Sequence, residues 1–420
     1  MLSFIRVFNL IIFFIFTVCY LYQFVYVLVT LFGKRKRLEA KVQHRYAVII
    51  AARNEREVIA HLIASIKKQK YPEELVDVFV VADNCTDDTA EVARGAGAHV
   101  YVRENRELVG KGYALDYAFK NIANDFGDKD YEGYFIFDAD NLLDENYIAE
   151  MNRTFDSGYR IVTSYRNSKN YDTNWISAGS SLWFLKEARY LNNARMILKS
   201  SCAVSGTGFL VHADIVNKNN GWKHHLLTED IEFSIDSVIA GEVIGYCDEA
   251  MLYDEQPTEF EQSWNQRLRW AKGFYQVVAR YGWRLFKGIF GKKPLACYDM
   301  LMTVLPAMGI SVIGVIVNLV FMVLGFMEPG GVNTLIIACA MSVITTAVNF
   351  YLILFFFGAI TTISEWKKIR AKAEKKIIYM FTFPVFILTY VPIAIVALFR
   401  KIEWTPIKHS VSKTIEELQQ

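Results

Sequence analysis

Long apolar segments at both ends of the 420-residue chain enclose a more polar middle region. The segments cover residues 1–32, 298–327, 332–363 and 377–399. Each is long enough to cross a bilayer as a helix, which needs roughly 20 mostly apolar residues. The first segment is too long and too aromatic for a cleaved signal peptide, so we predict a retained membrane helix there. The pattern therefore predicts a chain anchored in a membrane at both ends.

Short apolar runs alternate with amphipathic stretches in the middle region. Predicted strands, with the polar turns that follow them, occupy 46–55, 76–89, 99–105 and 134–140, and predicted helices occupy 56–69, a stretch ending near 94, and 111–123. Strands and helices alternating at this pitch predict an α/β fold built of βαβ units, with a mostly parallel sheet and flanking helices. Ligands of such sheets bind beyond the C-terminal strand ends, where Glu55, Asp83, Asp138 and Asp140 fall.

The distribution of basic residues predicts the orientation of the chain. "GKRKR" (33–37) follows the first apolar segment, and "EWKKIRAKAEKK" (365–376) separates the last two. Basic residues beside membrane helices favour the cytoplasmic face. We therefore expect a multi-pass protein of the cell membrane, in a bacterium, with a cytoplasmic middle domain. Four crossings would put both termini outside, whereas the basic tail at 399–409 favours the inside, so one proline-containing C-terminal segment could be re-entrant.

The cysteine content and the net charge limit the classes of function that are expected, but they do not identify one. The six cysteines are scattered without metal-ligand spacing, and a cytoplasmic domain would keep them reduced. The net charge of +2 gives no indication of nucleic-acid binding. We predict an N-terminal transmembrane helix (1–33), an α/β catalytic domain (34–255), interfacial helices (256–296), C-terminal transmembrane helices (297–400) and a tail (401–420).

Two aspartates follow the predicted buried strand in "YFIFDADNLL" (134–143). Like charges this close repel each other, so Asp138 and Asp140 should lie beside a positive group. Carboxylate oxygens suit hard or borderline divalent cations, so the pair predicts a site for Mg²⁺ or Mn²⁺. The alternative is one aspartate that caps the next helix and a second one in solvent. D-x-D is short and common, and alone it does not decide between them.

Other stretches of the domain suit a phosphate-containing ligand. Asp83 ends another strand of the same sheet, although a lone aspartate there is more often a turn residue. "VGKGYALDYA" (109–118) places Gly110, Lys111 and Gly112 at a helix start, where backbone N–H groups and a lysine favour phosphate. An ordinary loop is the alternative. No G-x-G-x-x-G follows the first strand, which argues against a dinucleotide-dependent oxidoreductase.

Two motifs near the end of the domain are more specific. "LLTEDIEFSIDSVIAGE" (226–242) puts Glu229 and Asp230 at a helix start, where the helix dipole stabilises a carboxylate that could act as a base. An N-cap with an acidic first turn is the alternative. "QSWNQRLRWAKGF" (262–274) carries arginines, which bind phosphate bidentately, and a flat tryptophan. An interfacial helix with aromatic and basic anchors would show the same residues.

Taken in this order, the motifs resemble the membrane-embedded family 2 glycosyltransferases, which include the cellulose, hyaluronan, chitin and poly-N-acetylglucosamine synthases. The resemblance rests on Asp83, Asp138-Ala139-Asp140, Thr228-Glu229-Asp230 and Gln266-Arg267-Leu268-Arg269-Trp270, with flanking membrane spans. It covers about 45–275 by motif. It implies a GT-A fold, a UDP-linked sugar donor and a divalent cation, Mg²⁺ or Mn²⁺.

The resemblance also implies roles for single residues. Asp230 would be the catalytic base, and Asp140 together with Asp138 would hold the metal. Ser205 and Gly206 begin "SGTGFLVHADIV", which matches the stretch that borders the acceptor. The other implied substrate contacts are Glu55 and Asp83 at the uridine, Lys111 and Asp138 at the diphosphate, Glu229 beside the base, and Gln266, Arg267, Arg269 and Trp270 in the Q-x-x-R-W motif.

Two features match the family loosely or depart from it. Asn141 follows D-x-D, where some relatives carry a histidine that reaches the metal. His212, His224 and His225 are candidates for that role, although a lone histidine is more often structural. "EWTPIKH" (403–409) loosely matches a tail element that closes over the nucleotide in relatives and so could gate the site.

The expected function is an inverting transfer of hexosyl units, glucose or N-acetylglucosamine, from a UDP-sugar to a growing β-linked polysaccharide that is exported. The alternative is non-processive transfer of one sugar to a lipid-linked acceptor, against which Trp270 argues as an acceptor platform. A third reading, a transporter or receptor with a nucleotide-sensing domain, would place charges within the spans, and the sequence shows very few. Expected partners are the UDP-sugar, a glycan acceptor and the bilayer, with room for accessory export subunits, but no nucleic acid.

Overall fold

The computed structural model describes residues 1–305, 307–327, 333–403, 409, 411 and 413–419. Its centre is an eight-stranded sheet with the strand order β3-β2-β1-β4-β7-β6-β8-β5. The strands are β1 (Tyr46–Ala52), β2 (Val76–Asp83), β3 (His99–Arg103), β4 (Gly133–Asp138), β5 (Leu142–Leu143), β6 (Ile161–Ser168), β7 (Phe209–His212) and β8 (Ile244–Asp254).

The sheet is parallel in its first half and mixed in its second. β1 pairs in parallel with β2 and β4, and β2 with β3, whereas β7 is antiparallel to both β4 and β6. β1 and β4 are central strands covered on both faces, which explains their nearly continuous apolar sequences. Ala51 pairs with Asp138 and Ala52 with Ala82. The residues that follow β1, β2 and β4 therefore lie at one edge of the sheet.

Helices cover both faces of the sheet and continue beyond it. They are α1 (Leu2–Tyr20), α2 (Tyr22–Phe32), α3 (Ile59–Lys67), α4 (Thr89–Gly95), α5 (Lys111–Asp125), α6 (Tyr147–Asp156), α7 (Trp175–Lys186), α8 (Asn193–Ile197), α9 (Ala213–Lys218), α10 (Glu229–Ile239), α11 (Phe260–Gly288), α12 (Pro294–Val304), α13 (Ala307–Met327), α14 (Asn333–Ser364), α15 (Ala373–Leu388), α16 (Tyr390–Phe399) and α17 (Ile415–Gln419). A π-helical turn, Glu187–Asn192, joins α7 to α8.

The core consists of two apolar layers, one on each face of the sheet. Leu115 and Phe119, one turn apart on α5, are buried with Phe79 of β2 on one face. Leu62 of α3 and Met151 of α6 are buried on the other face. Burying a side chain of this size contributes roughly 1.5–3 kcal/mol, so both layers hold the strand ends in fixed positions.

Three helices in the described part of the chain are long and apolar enough to cross a membrane. They are Leu2–Phe32, Asn333–Ser364 and Ala373–Phe399. The apolar segment 298–327, predicted as one span, is instead divided between α12 and the 21-residue helix α13. Leu305 is extended at the end of α12 because a residue that precedes a proline disfavours the helical conformation.

A buried ion pair joins the first apolar helix to the domain that contains the sheet. Arg195 of α8 donates to the Asp299 carboxylate of α12 through Nε at 2.7 Å and Nη2 at 2.8 Å. Tyr26 of α2 donates its hydroxyl to the same carboxylate at 2.7 Å. The Arg195 and Asp299 side chains are 1% and 0% exposed. Three separate parts of the chain therefore depend on one carboxylate.

Replacing Asp299 with asparagine is expected to lower the free energy of unfolding by about 3 kcal/mol, because Arg195 keeps its charge in the interior without a counter-charge. Unfolding of the detergent-solubilised protein, followed by tryptophan fluorescence, measures the change. Glu91→Gln is the matched control, since its ion pair with Arg94 is exposed and should contribute less than about 0.5 kcal/mol. Equal losses in both variants would contradict a supporting role for the buried pair.

Candidate active site

A cleft of about 260 Å³ lies where the C-terminal edge of β1, β2 and β4 meets α10 and α11. Twelve of the thirteen site residues predicted from the sequence line it: Glu55, Asp83, Lys111, Asp138, Asp140, Ser205, Gly206, Glu229, Asp230, Gln266, Arg269 and Trp270. Motifs spread over more than half of the chain thus share one cleft. Its acidic wall comes from strand ends, and the opposite wall comes from helix starts.

Tight turns after β1 and β2 fix one end of the cleft. Asn54 and Asn84 have positive φ angles of 58° and 53°, a conformation that asparagine tolerates better than most residues. Asn54 Oδ1 accepts the N–H of Thr86 at 2.7 Å, which joins the two turns. Asp83 is buried and accepts from Arg103 Nη1 at 2.5 Å. The polar groups at these strand ends are therefore held before any ligand binds.

The positive group expected beside the D-x-D motif is Lys111. Its Nζ donates to Asp138 Oδ1 and also to the carbonyl oxygen of Gly206 at 2.7 Å. Lys111 is the first residue of α5, so a lysine and a helix N-terminus face the same carboxylate. This arrangement offers two kinds of positive charge to a phosphate.

Asp140 occupies a different environment from Asp138. It is buried and accepts the N–H of Glu255 at 2.7 Å. Burial alone would raise the pKa of Asp140, but the nearby charges of His409 and Lys169 outweigh that effect and place its pKa below the usual value. Asp140 therefore stays ionised at neutral pH.

The two aspartates fit a divalent cation that is completed by substrate. Mg²⁺ commonly uses one or two carboxylates and takes its other ligands from water and from substrate phosphates. Within the described residues there is no cluster of three or more His, Cys, Asp and Glu side chains arranged to hold a metal. The donor set of Asp138 and Asp140 thus suits Mg²⁺ or Mn²⁺ bound together with a diphosphate, rather than a closed protein site.

The acidic pair on the opposite wall lies at the start of α10. Burial and the charge of Asp230 raise the pKa of Glu229 to about 7. Burial also raises the pKa of Asp230 above its usual value. Gly206, at φ 79°, faces this pair, and a Cβ there would lie 3.8 Å from Asp230 Oδ2. A glycine in the left-handed region therefore leaves space beside the Asp230 carboxylate.

Close packing positions the Q-x-x-R-W motif of α11 against the same pair. A Cβ at Gly273 would meet the side chain of Thr228 at 2.5 Å, so the helix and the loop before α10 touch directly. Arg269 and Trp270 then face the cleft. The Trp270 ring meets the Phe184 ring edge-on, with 6.0 Å between centroids. This wall presents both a cation and an aromatic surface.

Arg267 is the one predicted substrate contact that the structure places elsewhere. It is buried and donates to Thr389 Oγ1 at 2.5 Å and to the carbonyl oxygen of Phe386 at 3.2 Å. Its guanidinium lies 4.3 Å from the centroid of the Phe386 ring. Residues two apart on a helix face different directions, so Arg267 cannot share the side of α11 that carries Arg269. Its contacts tie α11 to α15, and the geometry does not support a substrate contact.

The cleft also contains charged residues that were not among the predicted site residues, including Arg166 and Glu187, and His409 of the loosely matched tail element. Arg166 of β6 forms an ion pair with Asp254 and donates to the carbonyl oxygen of Ser205 at 2.8 Å. Its sequence context, an arginine in a polar strand, gives no indication of this position. Glu187 stands out in the sequence only as an acid that directly follows the apolar stretch of α7.

His409 places part of the tail beside the cleft. Its Nδ1 lies 2.9 Å from Glu55 Oε1. Burial opposes protonation of His409, but the carboxylates of Asp140 and Glu55 raise its pKa to about 10. Residues 404–408 of the predicted gating element lie outside the described residues. Val411 continues the contact by donating its N–H to Glu255 Oε2 at 2.9 Å.

The three histidines considered for the metal lie outside the cleft in the described structure. His212 accepts the N–H of Asp214 at 3.1 Å and so caps α9. His224 pairs with Asp236. His225 stacks on a tyrosine ring at 4.2 Å between centroids. Their contacts are those of structural residues.

Residues 44–273 match the family model described as "Glycosyltransferase like family 2". The chain belongs to this family. The match covers more than half of the chain and includes each motif from the first strand to the Q-x-x-R-W helix. The resemblance to family 2 glycosyltransferases noted in the sequence is thus confirmed, and the chain is a family 2 glycosyltransferase.

Two kinds of synthase are among the curated relatives of this glycosyltransferase. The beta-monoglucosyldiacylglycerol synthase of Nostoc sp. is 25% identical over 271 residues, which are 62% of this chain and 54% of that protein. The poly-beta-1,6-N-acetyl-D-glucosamine synthase of Staphylococcus aureus is 24% identical over 243 residues, which are 55% of each. The chain matches little more than half the length of these relatives.

A solved structure supports the fold of the glycosyltransferase. The mannosyltransferase PcManGT of Pyrobaculum calidifontis, in complex with GDP-Man and Mn²⁺, superposes with a TM-score of 0.57 and 15% identity, over 94% of this chain and 99% of that one. The likeness confirms the expected GT-A-type α/β fold with appended helices. At this level of identity it shows the fold alone.

Proposed function

We propose that this chain is an inverting membrane glycosyltransferase that transfers glucose or N-acetylglucosamine from a UDP-sugar to a growing β-linked polysaccharide. The observation that carries the proposal is the shared cleft: donor-side carboxylates, the Asp230 carboxylate and the Trp270 ring line one space. Three helices of membrane-spanning length adjoin the same domain. A transferase that extends a chain and passes it into a membrane needs these parts side by side.

The chemistry begins at the acceptor hydroxyl. Asp230 takes its proton while the acceptor oxygen forms a bond to the anomeric carbon of the donor. The bond from that carbon to the diphosphate breaks in the same step, so an α-linked donor gives a β-linked product. Burial raises the pKa of Asp230, which makes its carboxylate a stronger base than an exposed aspartate.

The departing UDP gains negative charge, which the cleft offsets. Lys111 and Arg269 face it from opposite walls, and the N-terminus of α5 adds its dipole. A divalent cation at Asp138 and Asp140, Mg²⁺ or Mn²⁺, would supply further charge to the diphosphate. Glu55 and Asp83, at the far end of the cleft, would hold the nucleoside.

The proposed setting is the cell membrane of a bacterium, with the catalytic domain in the cytoplasm. The basic segments 33–37 and 365–376 follow the first and precede the last membrane-length helix, as the positive-inside rule requires of cytoplasmic loops. UDP-sugars are made in the cytoplasm, so this orientation gives the cleft its donor. Export of the product, alone or with accessory subunits, would proceed through the adjoining helices.

The alternative function is transfer of a single sugar to a lipid-linked acceptor. Two observations favour it. One group of relatives is named for a glucosyldiacylglycerol product. The C-terminal segment 298–327 is divided between α12 and α13, so only α13 of this segment is left to line an export path. The two functions differ in product size.

Product size separates the two functions. Membranes that contain the protein would be incubated with radiolabelled UDP-glucose or UDP-N-acetylglucosamine and Mn²⁺ or Mg²⁺. The proposal predicts a label of high molecular weight that stays in the aqueous phase and is cut by a β-glycanase. A label that extracts into chloroform–methanol with one sugar per lipid would establish the alternative instead.

Replacing Trp270 with alanine is expected to reduce elongation about tenfold and to change the affinity for UDP less than twofold, because its ring contacts the acceptor rather than the nucleotide. Product length on a sizing column and UDP titration measure the two effects. Trp283→Ala is the matched control, since Trp283 lies on the same helix and is 67% exposed, away from the cleft. Unchanged product length in Trp270→Ala would contradict acceptor stacking.

A further inference from the structure

One acidic residue of the cleft has no part in the steps above. Glu187 lines the cleft beside Ser205 and Phe184, on the wall that carries Trp270 rather than the D-x-D motif. It is the first residue of the π-helical turn that follows α7. Such turns are rare and often occur at functional sites, because the extra residue redirects a side chain.

The Glu187 carboxylate is half-buried in the wall of the cleft and has few protein partners. Within the described part of the chain, Ser205 Oγ, at 3.1 Å from Oε2, is its one hydrogen-bond donor, and no ion pair includes it. The nearest guanidinium groups are engaged elsewhere, Arg195 by Asp299 and Arg166 by Asp254. A carboxylate has about four acceptor positions, and those of Glu187 that face the cleft are not used by Ser205. Glu187 therefore has room for donors from a ligand.

Its position relates Glu187 to the acceptor rather than to the donor. Ser205, its partner, adjoins Gly206, which faces Asp230. Lys111 and Arg166 hold the carbonyl oxygens of Gly206 and Ser205 from the donor side. The Ser205–Gly206 loop thus contacts Lys111 and Arg166 through its carbonyl oxygens and Glu187 through the Ser205 hydroxyl.

We infer that Glu187 binds hydroxyl groups of a neutral sugar ring at the acceptor end of the cleft and thereby makes the enzyme select a glycosyl acceptor. The inference rests on the proposed function and specifies its acceptor. A sugar ring offers neighbouring hydroxyl donors to a carboxylate and an apolar face to an aromatic ring such as Trp270. A phosphorylated acceptor would be repelled by Glu187 and Asp230. A plain alcohol such as diacylglycerol would leave the carboxylate without partners.

The test compares acceptors and variants of the full chain in phosphatidylcholine nanodiscs. The probes are hexyl β-glucoside, hexyl β-N-acetylglucosaminide and 1,2-dioctanoylglycerol, each with the UDP-sugar that the wild type cleaves. Transfer to the probe and hydrolysis of the UDP-sugar by water are measured separately. The wild type is expected to use a hexyl glycoside and not the dioctanoylglycerol.

Glu187→Gln is expected to raise the KM for the hexyl glycoside about tenfold, since a hydrogen bond to a charged group is replaced by a neutral one. Glu187→Ala should raise it further. Hydrolysis of the UDP-sugar and UDP affinity should stay within twofold of the wild type, because neither uses the acceptor site. Glu242→Gln is the control, since Glu242 pairs with Arg160 and lies outside the residues that line the cleft.

Three results would overturn the inference: an unchanged KM in both Glu187 variants, efficient use of dioctanoylglycerol by the wild type, or loss of UDP affinity and thermal stability in Glu187→Gln, which would assign a structural role. The proposed function fails in a different way. In that case the wild type would cleave none of the UDP-sugars, by transfer or by hydrolysis.

Discussion

Asp230→Asn is expected to lower sugar transfer about 10³-fold and to leave UDP affinity within about twofold, because the variant keeps the shape of the side chain but cannot accept the acceptor's proton. Transfer is measured as UDP release under saturating donor, and affinity by calorimetric titration with UDP. Asp128→Asn, at an exposed position remote from the cleft, is the control and should match the wild type. A variant at Asp230 that turns over at the wild-type rate would show that another group is the base.

The pH dependence follows from the pair that Asp230 forms with Glu229. Burial raises the pKa of both carboxyls, to about 7 for Glu229. The base must be deprotonated, so transfer should fall as the pH drops through the raised pKa of Asp230. Glu229→Gln removes a like charge, which lowers the pKa of Asp230, and the acid limb should move to lower pH. If the acid limb of the pH–rate profile lies at the same pH in Glu229→Gln and in the wild type, coupling between the two carboxyls is excluded.

Loss of the divalent cation is expected to lower sugar transfer about as much as Asp230→Asn does. Asp140→Asn, or chelation with EDTA in the wild type, should lower transfer about 10³-fold, because the departing diphosphate loses its strongest neutralising charge. Asp140 is ionised and buried, and within the described structure its carboxylate lies near His409 and Lys169. The measurement is UDP release against Mn²⁺ or Mg²⁺ concentration in both proteins.

The matched control for Asp140 is Asp144→Asn, four residues further on, where the carboxylate accepts the N–H of Asn146. Its dependence on Mn²⁺ should equal that of the wild type. Asp140→Asn should need a higher metal concentration or fail to recover at any concentration. Full transfer by the wild type in EDTA, together with full transfer by Asp140→Asn, would refute a metal-assisted reaction at this site.

Local sequence was enough to predict the strands and the acidic strand ends. β1, β2 and β4 are apolar runs closed by polar residues, and their positions agree with the predicted strands because both faces are buried. Parallel pairing then places the C-terminal ends of these neighbouring strands at the same edge of the sheet. Asp83 and the D-x-D motif therefore share an edge, as predicted from the order of the elements.

Motif membership did not predict which way each side chain faces. Arg267 and Arg269 lie in the same five-residue motif, yet one faces α15 and the other faces the cleft, since two residues on a helix differ by about 200°. Helical periodicity alone predicts that these two arginines face different directions. The sequence also predicts that the segment 298–327 is divided into two helices, because Pro306 disfavours a helical conformation at Leu305.

Other site residues depend on tertiary contacts that no local pattern encodes. His409 reaches Glu55 from 354 positions along the chain. Glu187 owes its direction to a π-helical turn, which has no simple sequence pattern. Arg166 is placed by its pairing with Asp254 across two neighbouring strands. These residues become candidates only when the strands and helices around them are assembled.

The central claim is that the gathered carboxylates form one cleft for an activated sugar. UDP release by the purified full chain in nanodiscs, with a panel of UDP-hexoses and Mn²⁺ or Mg²⁺, tests it most directly. The account predicts release from at least one UDP-hexose that is lost in Asp230→Asn and in EDTA. A folded preparation that releases UDP from none of the panel would contradict it.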